Sequence, residues 1–132
     1  MFKSNQAFSS FSVDDTAKAR QFYTGTLGLE MKDEMMGLLS AKLPSGAQVL
    51  MYPKPDHKPA EFTVLNFIVD DVERTVDELS SSGVKFERYD LDQMKTDAKG
   101  IVRGQGPDIA WFKDPFGNIL SIIGRDDTTH RA

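Results

Sequence analysis

Two histidines, His57 and His130, are the only imidazoles in this chain of 132 residues, and there is no cysteine. Imidazole has an ordinary pKa of about 6.5, which suits it to proton transfer and metal ligation near neutrality. The lack of a thiol excludes disulfides, thiolate zinc sites and cysteine nucleophiles. His57 stands in the run Pro53-Lys54-Pro55-Asp56-His57-Lys58-Pro59, and His130 stands in a polar tail. Prolines remove backbone donors and fix φ, so the run cannot continue a strand or a helix. A histidine in such a segment is ordinarily solvated. Among the carboxylates, Glu61 and Asp108 would need a raised pKa to act as acid or base. Lys95 and Arg103 could meet an anionic ligand, although solvated surface charge is the commoner fate of such residues. There is no Gly-rich phosphate loop before a Lys-Ser/Thr pair and no Gly-x-Ser-x-Gly elbow. The residue types alone assign no catalytic group.

The elements that must position these groups follow from periodicity and punctuation. Residues 7–13 alternate partly as a strand, and Asp14-Asp15 then offers carboxylates to the orphan amides of a helix start. Ala19, Phe22, Tyr23 and Leu27 recur at helical spacing over Thr16–Thr26, and Gly28 is placed to stop the helix. Three strands are predicted next, Leu29–Met35, Leu38–Leu43 and Gln48–Tyr52, with Pro44-Ser45-Gly46 as turn chemistry. After the proline run the order returns. Thr63–Val69 alternates, Asp70-Asp71 caps a helix with Val72, Val76 and Leu79 on its apolar face, and Gly83 follows. Val84–Asp90, Pro107–Lys113 and Ile119–Ile123 complete the predicted strands.

The second half therefore repeats the first. Val13-Asp14-Asp15 matches Val69-Asp70-Asp71, Gly28-Leu29 matches Gly83-Val84, and Ser45-Gly46 matches Phe116-Gly117. The expected organisation is a single domain over 1–132: a first βαβββ unit at 6–53, a linker at 54–61, a second unit at 62–124 and a tail at 125–132. Its fold class is α+β. An extra polar stretch, about Leu91 to Gly106, has no counterpart in the first half and reads equally as a lid or as a disordered surface excursion.

The formal net charge of −4 argues against an electrostatic nucleic-acid binder. No apolar run approaches the roughly 20 residues that span a bilayer, and the N-terminal residues have no apolar signal core. A cytoplasmic protein with neither nucleic-acid nor membrane partners is expected.

Two segments carry a family resemblance. One is Val13-Asp14-Asp15-Thr16-Ala17-Lys18-Ala19-Arg20-Gln21-Phe22-Tyr23 running into Leu27-Gly28-Leu29. The other is Trp111-Phe112-Lys113-Asp114-Pro115-Phe116-Gly117-Asn118. Together they resemble the opening helix and closing Asp-Pro-x-Gly-Asn turn of the vicinal oxygen chelate superfamily, which includes glyoxalase I, extradiol dioxygenases, and fosfomycin-resistance and bleomycin-binding proteins. The resemblance implies two tandem βαβββ units forming an incompletely closed, curved mixed sheet around a cavity, and a homodimer. It also implies where a divalent metal would be held. The matching histidine positions here are Phe8 and Val64, and the matching glutamate positions are Leu50 and Ser121. Three of these side chains have no donor atom, and serine is a poor ligand for such ions. No metal and no cofactor are therefore expected.

Carrying the family's strand phase over, the cavity positions are Phe8, Ser10, Leu50, Val64, Asn66 and Ser121, with Trp111 as a stacking face. Such an apolar lining with a few small polar groups suits a small organic ligand. Ordinary core packing is the alternative. Met31, Met35, Met36 and Met51 read first as core or dimer packing and second as an adaptable pocket wall. The expected function is binding of a small molecule. An enzyme of the lyase, isomerase or dioxygenase kind with a different ligand set, and a partner-binding module, are the alternatives.

Overall fold

A computed structural model describes residues 2–104 and 106–125. The chain divides into two compact units, Met1–Pro59 and Ala60–Ala132. His130 and most of the 125–132 tail lie outside the described residues.

The first unit is β1 (Ser9–Val13), α1 (Thr16–Arg20), β2 (Met31–Asp33), β3 (Leu39–Lys42) and β4 (Gln48–Pro53). The helix starts where expected, because the Asp15 carboxylate accepts from the N–H groups of Ala17 and Lys18 at 2.9 and 3.2 Å. It continues beyond Arg20 as a wider π-helical stretch, Gln21–Thr26, and stops at Gly28, whose φ is +74°. The strands lie in the order β1-β4-β3-β2, with β1 parallel to β4 and the other neighbours antiparallel. Alternation puts Phe11, Val13, Leu39, Ala41, Val49 and Met51 in the core with Ala19 and Tyr23 of the helical segment. Fully burying a side chain of this kind is worth roughly 1.5–3 kcal/mol, so this layer holds the unit together. Met51 is thus core, as the packing reading has it. The predicted strand Leu29–Met35 is shorter, because Met35–Gly37 forms a single 3-10 turn instead.

The second unit is β5 (Thr63–Val69), α2 (Val72–Ser81), a two-stranded hairpin of β6 (Asp90–Leu91) and β7 (Met94–Lys95), then β8 (Ile101–Val102), β9 (Ile109–Lys113) and β10 (Ile119–Gly124). Asp71 caps α2 through the Arg74 N–H at 3.0 Å, and Val72 and Val76 are its buried residues. The sheet order β5-β10-β9-β8 repeats that of the first unit, parallel at β5/β10 and antiparallel elsewhere. The two βαβββ units that the repeat implied are therefore present, each carrying its own four-stranded mixed sheet.

Two expectations need correction here. Val84–Asp90 is not a strand of the sheet: it meets the sheet at one bridge, Phe86 to Phe112, made through the bond from Glu87 N–H to Trp111 O at 2.8 Å. The place of the second strand is taken by β8, from the polar stretch read as a lid or a disordered excursion. Ile101 pairs with Ala110 and Val102 with Ile109, and both are buried. The overriding reason is apolar burial. Ile101-Val102 is the one adjacent β-branched pair in 91–106, and the core takes it.

Candidate functional site

The strand phase of the first sheet leaves Phe8, Ser10, Ser12, Leu50 and Ser40 on the face away from the helix. Ser10 stands opposite Leu50, and Leu50 opposite Ser40, in one row across β1, β4 and β3. Next to this row the 3-10 turn rises at the end of β2. Its Met36 holds φ +64°, a left-handed conformation rarely taken by a side chain without Asn- or Gly-like freedom. The turn and the sheet enclose a cleft of about 420 Å³. Its apolar wall is Phe8, Met35, Met36, Leu38 and Leu50, and its polar groups are Glu34, Ser40 and Gln48. Phe8 is 63% exposed, Met35 81% and Met36 90%, which is a large amount of apolar surface to leave in water. Met35 and Met36 are therefore not part of this unit's core, because the turn lifts them off the sheet.

Buried Ser40 fixes the charge in this cleft. Its hydroxyl donates to Glu34 Oε2 at 2.7 Å, while the Glu34 N–H donates to Leu38 O at 2.8 Å and closes the turn. Sequence reasoning missed Glu34, Leu38, Ser40 and Gln48. Ser40 was findable, since a serine in the middle of an apolar strand must place its hydroxyl on a partner.

In the second unit Asn66, Ser121 and Trp111 also share one row, across β5, β10 and β9. Here the polar groups satisfy each other. Ser121, fully buried, donates to Asn66 Oδ1 at 2.5 Å, and Trp111 Nε1 donates to Thr63 Oγ1 at 3.1 Å. Trp111 meets Tyr89 edge-on with ring centroids 5.6 Å apart. Val64 falls at the register shift between β5 and β10 and is half-buried. Phe8 and Leu50 thus line one cleft with Ser10 beside it. Asn66, Ser121 and Trp111 form a separate row with Val64 beside it.

His57 is not simply solvated. The proline run turns back along β1, with Lys54 N–H to Val13 O and His57 N–H to Lys54 O both at 2.9 Å. Half-buried, the ring brings Nδ1 within 2.5 Å of Ser12 Oγ. Arg103 is committed to Glu73, Asp97 and Asp108, and Lys99 to Glu73 and Asp77. Lys99 and Arg103 beside Glu73 hold its carboxyl below the usual range. Burial pushes Asp97 upward, but the Ile101 N–H, the Arg103 guanidinium and the Lys99 N–H outweigh it and leave that carboxyl lowered. Asp108 has Arg103 Nη1 at 3.6 Å, and Lys95 only a loose pair with Asp90 at 4.0 Å. Glu61 is exposed.

With this geometry in view, the comparisons with known proteins are informative. The family model of the Glyoxalase/Bleomycin resistance protein/Dioxygenase superfamily matches residues 7–122. The chain belongs to that superfamily. Among solved structures, a protein of Bacillus anthracis assigned to the glyoxalase family is 18% identical with a TM-score of 0.70, over 95% of this chain and 99% of that one. A superfamily member from Sphaerobacter thermophilus is 24% identical with a TM-score of 0.69, over 92% and 98%. The fosfomycin resistance protein FosX of Listeria monocytogenes is 12% identical with a TM-score of 0.67, over 94% and 95%. At these identities the likeness speaks for the fold. A search of curated proteins by sequence finds no match.

Many enzymes of the superfamily hold a divalent ion, so the donor set is the test. Phe8, Leu50, Val64 and Ser121 stand at the positions matching its ligands, and Ser121 is already bonded to Asn66. Among the described residues no group of three or more His, Cys, Asp or Glu could hold a metal ion. These side chains do not fit the family's metal. Among the described residues, too, no helix is long and apolar enough to cross a membrane.

Proposed function

We propose that this protein binds a small organic molecule, without a metal, and acts as a homodimer. The observation that carries the reading is the cleft on the first sheet. Its volume of about 420 Å³ lies within the usual range for small-molecule sites, and its wall is five apolar residues with three polar groups. Phe8 and Leu50 were expected as ligand contacts from sequence. Ser10 is proposed as a further contact of this cleft, and Val64, Asn66, Trp111 and Ser121 as ligand contacts on the second unit's own sheet. Superfamily membership supports the dimer, as do the exposed Phe62 and Ile68, which are 68% and 64% accessible in the single chain.

The test is thermal denaturation with a library of planar organic compounds, repeated with a chelator. A ligand that binds only the folded protein raises Tm, by roughly 2.7 kcal/mol of stabilisation at a hundred times its Kd. At least one compound should shift Tm, the chelator should not abolish the shift, and Leu50→Lys should. A library that leaves Tm unmoved defeats the reading. Sedimentation equilibrium should give twice the chain mass.

A further inference from the structure

Among the described residues, Glu34 is the one charged side chain lining the cleft and has no cation within ion-pair distance. Several carboxylates elsewhere are paired. Asp33 beside it is paired with Arg20, and Glu73, Asp77, Asp97 and Asp108 are all within ion-pair distance of Lys99 or Arg103. Lys32 neighbours Ser40 in the register of β2 and β3, yet it is not within ion-pair distance of Glu34. Glu34 is half-buried beside Met35 and Leu38, where an ionised carboxylate loses part of its hydration. Ser40, only 3% exposed, donates to Oε2 and so aims the group while leaving Oε1 available. An oriented, unpaired negative charge at an apolar wall is complementary to a ligand with an apolar body and one positive group. The polarisable thioethers of Met35 and Met36 suit a flat or irregular body and adapt to its shape.

We propose that the cleft takes an amphiphilic cation, an aromatic or branched apolar body carrying a protonated amine that donates to Glu34. This rests on the cleft being a binding site and adds the class of ligand. An apolar ligand without charge would leave the carboxylate partly desolvated and unpaired. An anionic one would set two negative charges together. Both are disfavoured relative to the amine.

Three probes with a common naphthyl body test the idea: 2-naphthylmethylamine, 2-naphthylmethanol and 2-naphthoate. Each is titrated into the protein at pH 7, followed by the ¹³C signals of the methionine methyl groups, which report on Met35 and Met36. The amine should bind about tenfold or more tightly than the alcohol, the worth of one charge-assisted hydrogen bond, and the naphthoate weakest. Glu34→Gln retains an acceptor for Ser40 and should bring amine and alcohol to equal affinity. Glu34→Lys should turn the preference toward naphthoate. An unchanged unliganded methyl spectrum shows that each variant keeps the fold. If amine and alcohol bind the wild type equally, the cation inference fails and the cleft reading stands. If none of the probes moves the Met35 and Met36 signals, the cleft reading fails and takes the inference with it.

Discussion

The two units share a strand order but differ in how they secure it. Both close on the same five-residue turn. In the first, Leu43 N–H donates to Ala47 O and Gly46 N–H to Leu43 O, at 2.9 and 2.8 Å. In the second, Asp114 N–H donates to Asn118 O and Gly117 N–H to Asp114 O, at 2.9 and 3.1 Å. The first adds one weak side-chain bond, from Ala47 N–H to Ser45 Oγ at 3.3 Å, and the second adds three. Asp114, 5% exposed, accepts from the N–H groups of Phe116 and Asn118 and from Asn118 Nδ2, each at 2.9 Å. The same contrast recurs on the open faces. In the second unit the polar row is bonded to itself through Ser121–Asn66 and Trp111–Thr63. In the first unit one carboxylate and an exposed methionine turn are left facing a cleft. The repeat has one scaffold finished in two ways, with polar side chains bonded to each other in the second half and a carboxylate and apolar side chains left at a cleft in the first.

The largest test of this contrast is in the turns. Asp114→Ala removes three accepted bonds and leaves buried donors unsatisfied, so it should cost about 3 kcal/mol in urea unfolding. Ser45→Ala in the matching turn loses one weak bond, to the Ala47 N–H at 3.3 Å, and should cost less than about 0.5 kcal/mol. Equal costs would mean that the closing turn owes its strength to its backbone alone.

Glycines sharpen the comparison at intermediate size. Both Gly46 and Gly100 have positive φ, +96° and +87°. A Cβ on Gly46 meets nothing within 4 Å, whereas on Gly100 it falls 2.9 Å from Glu87 O and 3.0 Å from Phe86 Cβ. Gly46→Ala should therefore cost about 1 kcal/mol, the left-handed strain alone. Gly100→Ala should cost about 2–3 kcal/mol, since backbone must also move. Hydrogen exchange at Ile101 and Val102 would show the second effect locally, because Gly100, next to β8, packs against the Phe86–Glu87 segment.

The smallest effect expected is on pH. Glu73 and Asp97 have lowered carboxyl pKa values, so the folded state binds protons less readily than the unfolded one. Their contribution is complete above the ordinary carboxylate range, near pH 4–5, and is lost as pH falls below it. Acid should therefore loosen β8 before β3. All these groups are largely exposed, so salt should shrink the difference.

Much of this was legible in the sequence because it rests on local chemistry. Asp15 and Asp71 cap helices wherever those helices are placed, Gly28 and Gly83 stop them at positive φ, and Thr63–Val69 alternates because one face is covered. The repeat and the family followed from the same marks. What local pattern could not decide was competition. Val84–Asp90 and Ile101-Val102 both have strand character, and only pairing with Ile109 and Ala110 selects β8. Nor could spacing foresee that a 3-10 turn lifts Met35 and Met36 away from the core, or that Ser40 reaches Glu34 six residues back. Sequence by itself determined two capped βαβββ units, because caps, turns and alternation act within a few residues. Tertiary structure alone decided which apolar residues stay uncovered and that the carboxylate at the cleft has no cation beside it, because those depend on what the rest of the chain leaves beside them.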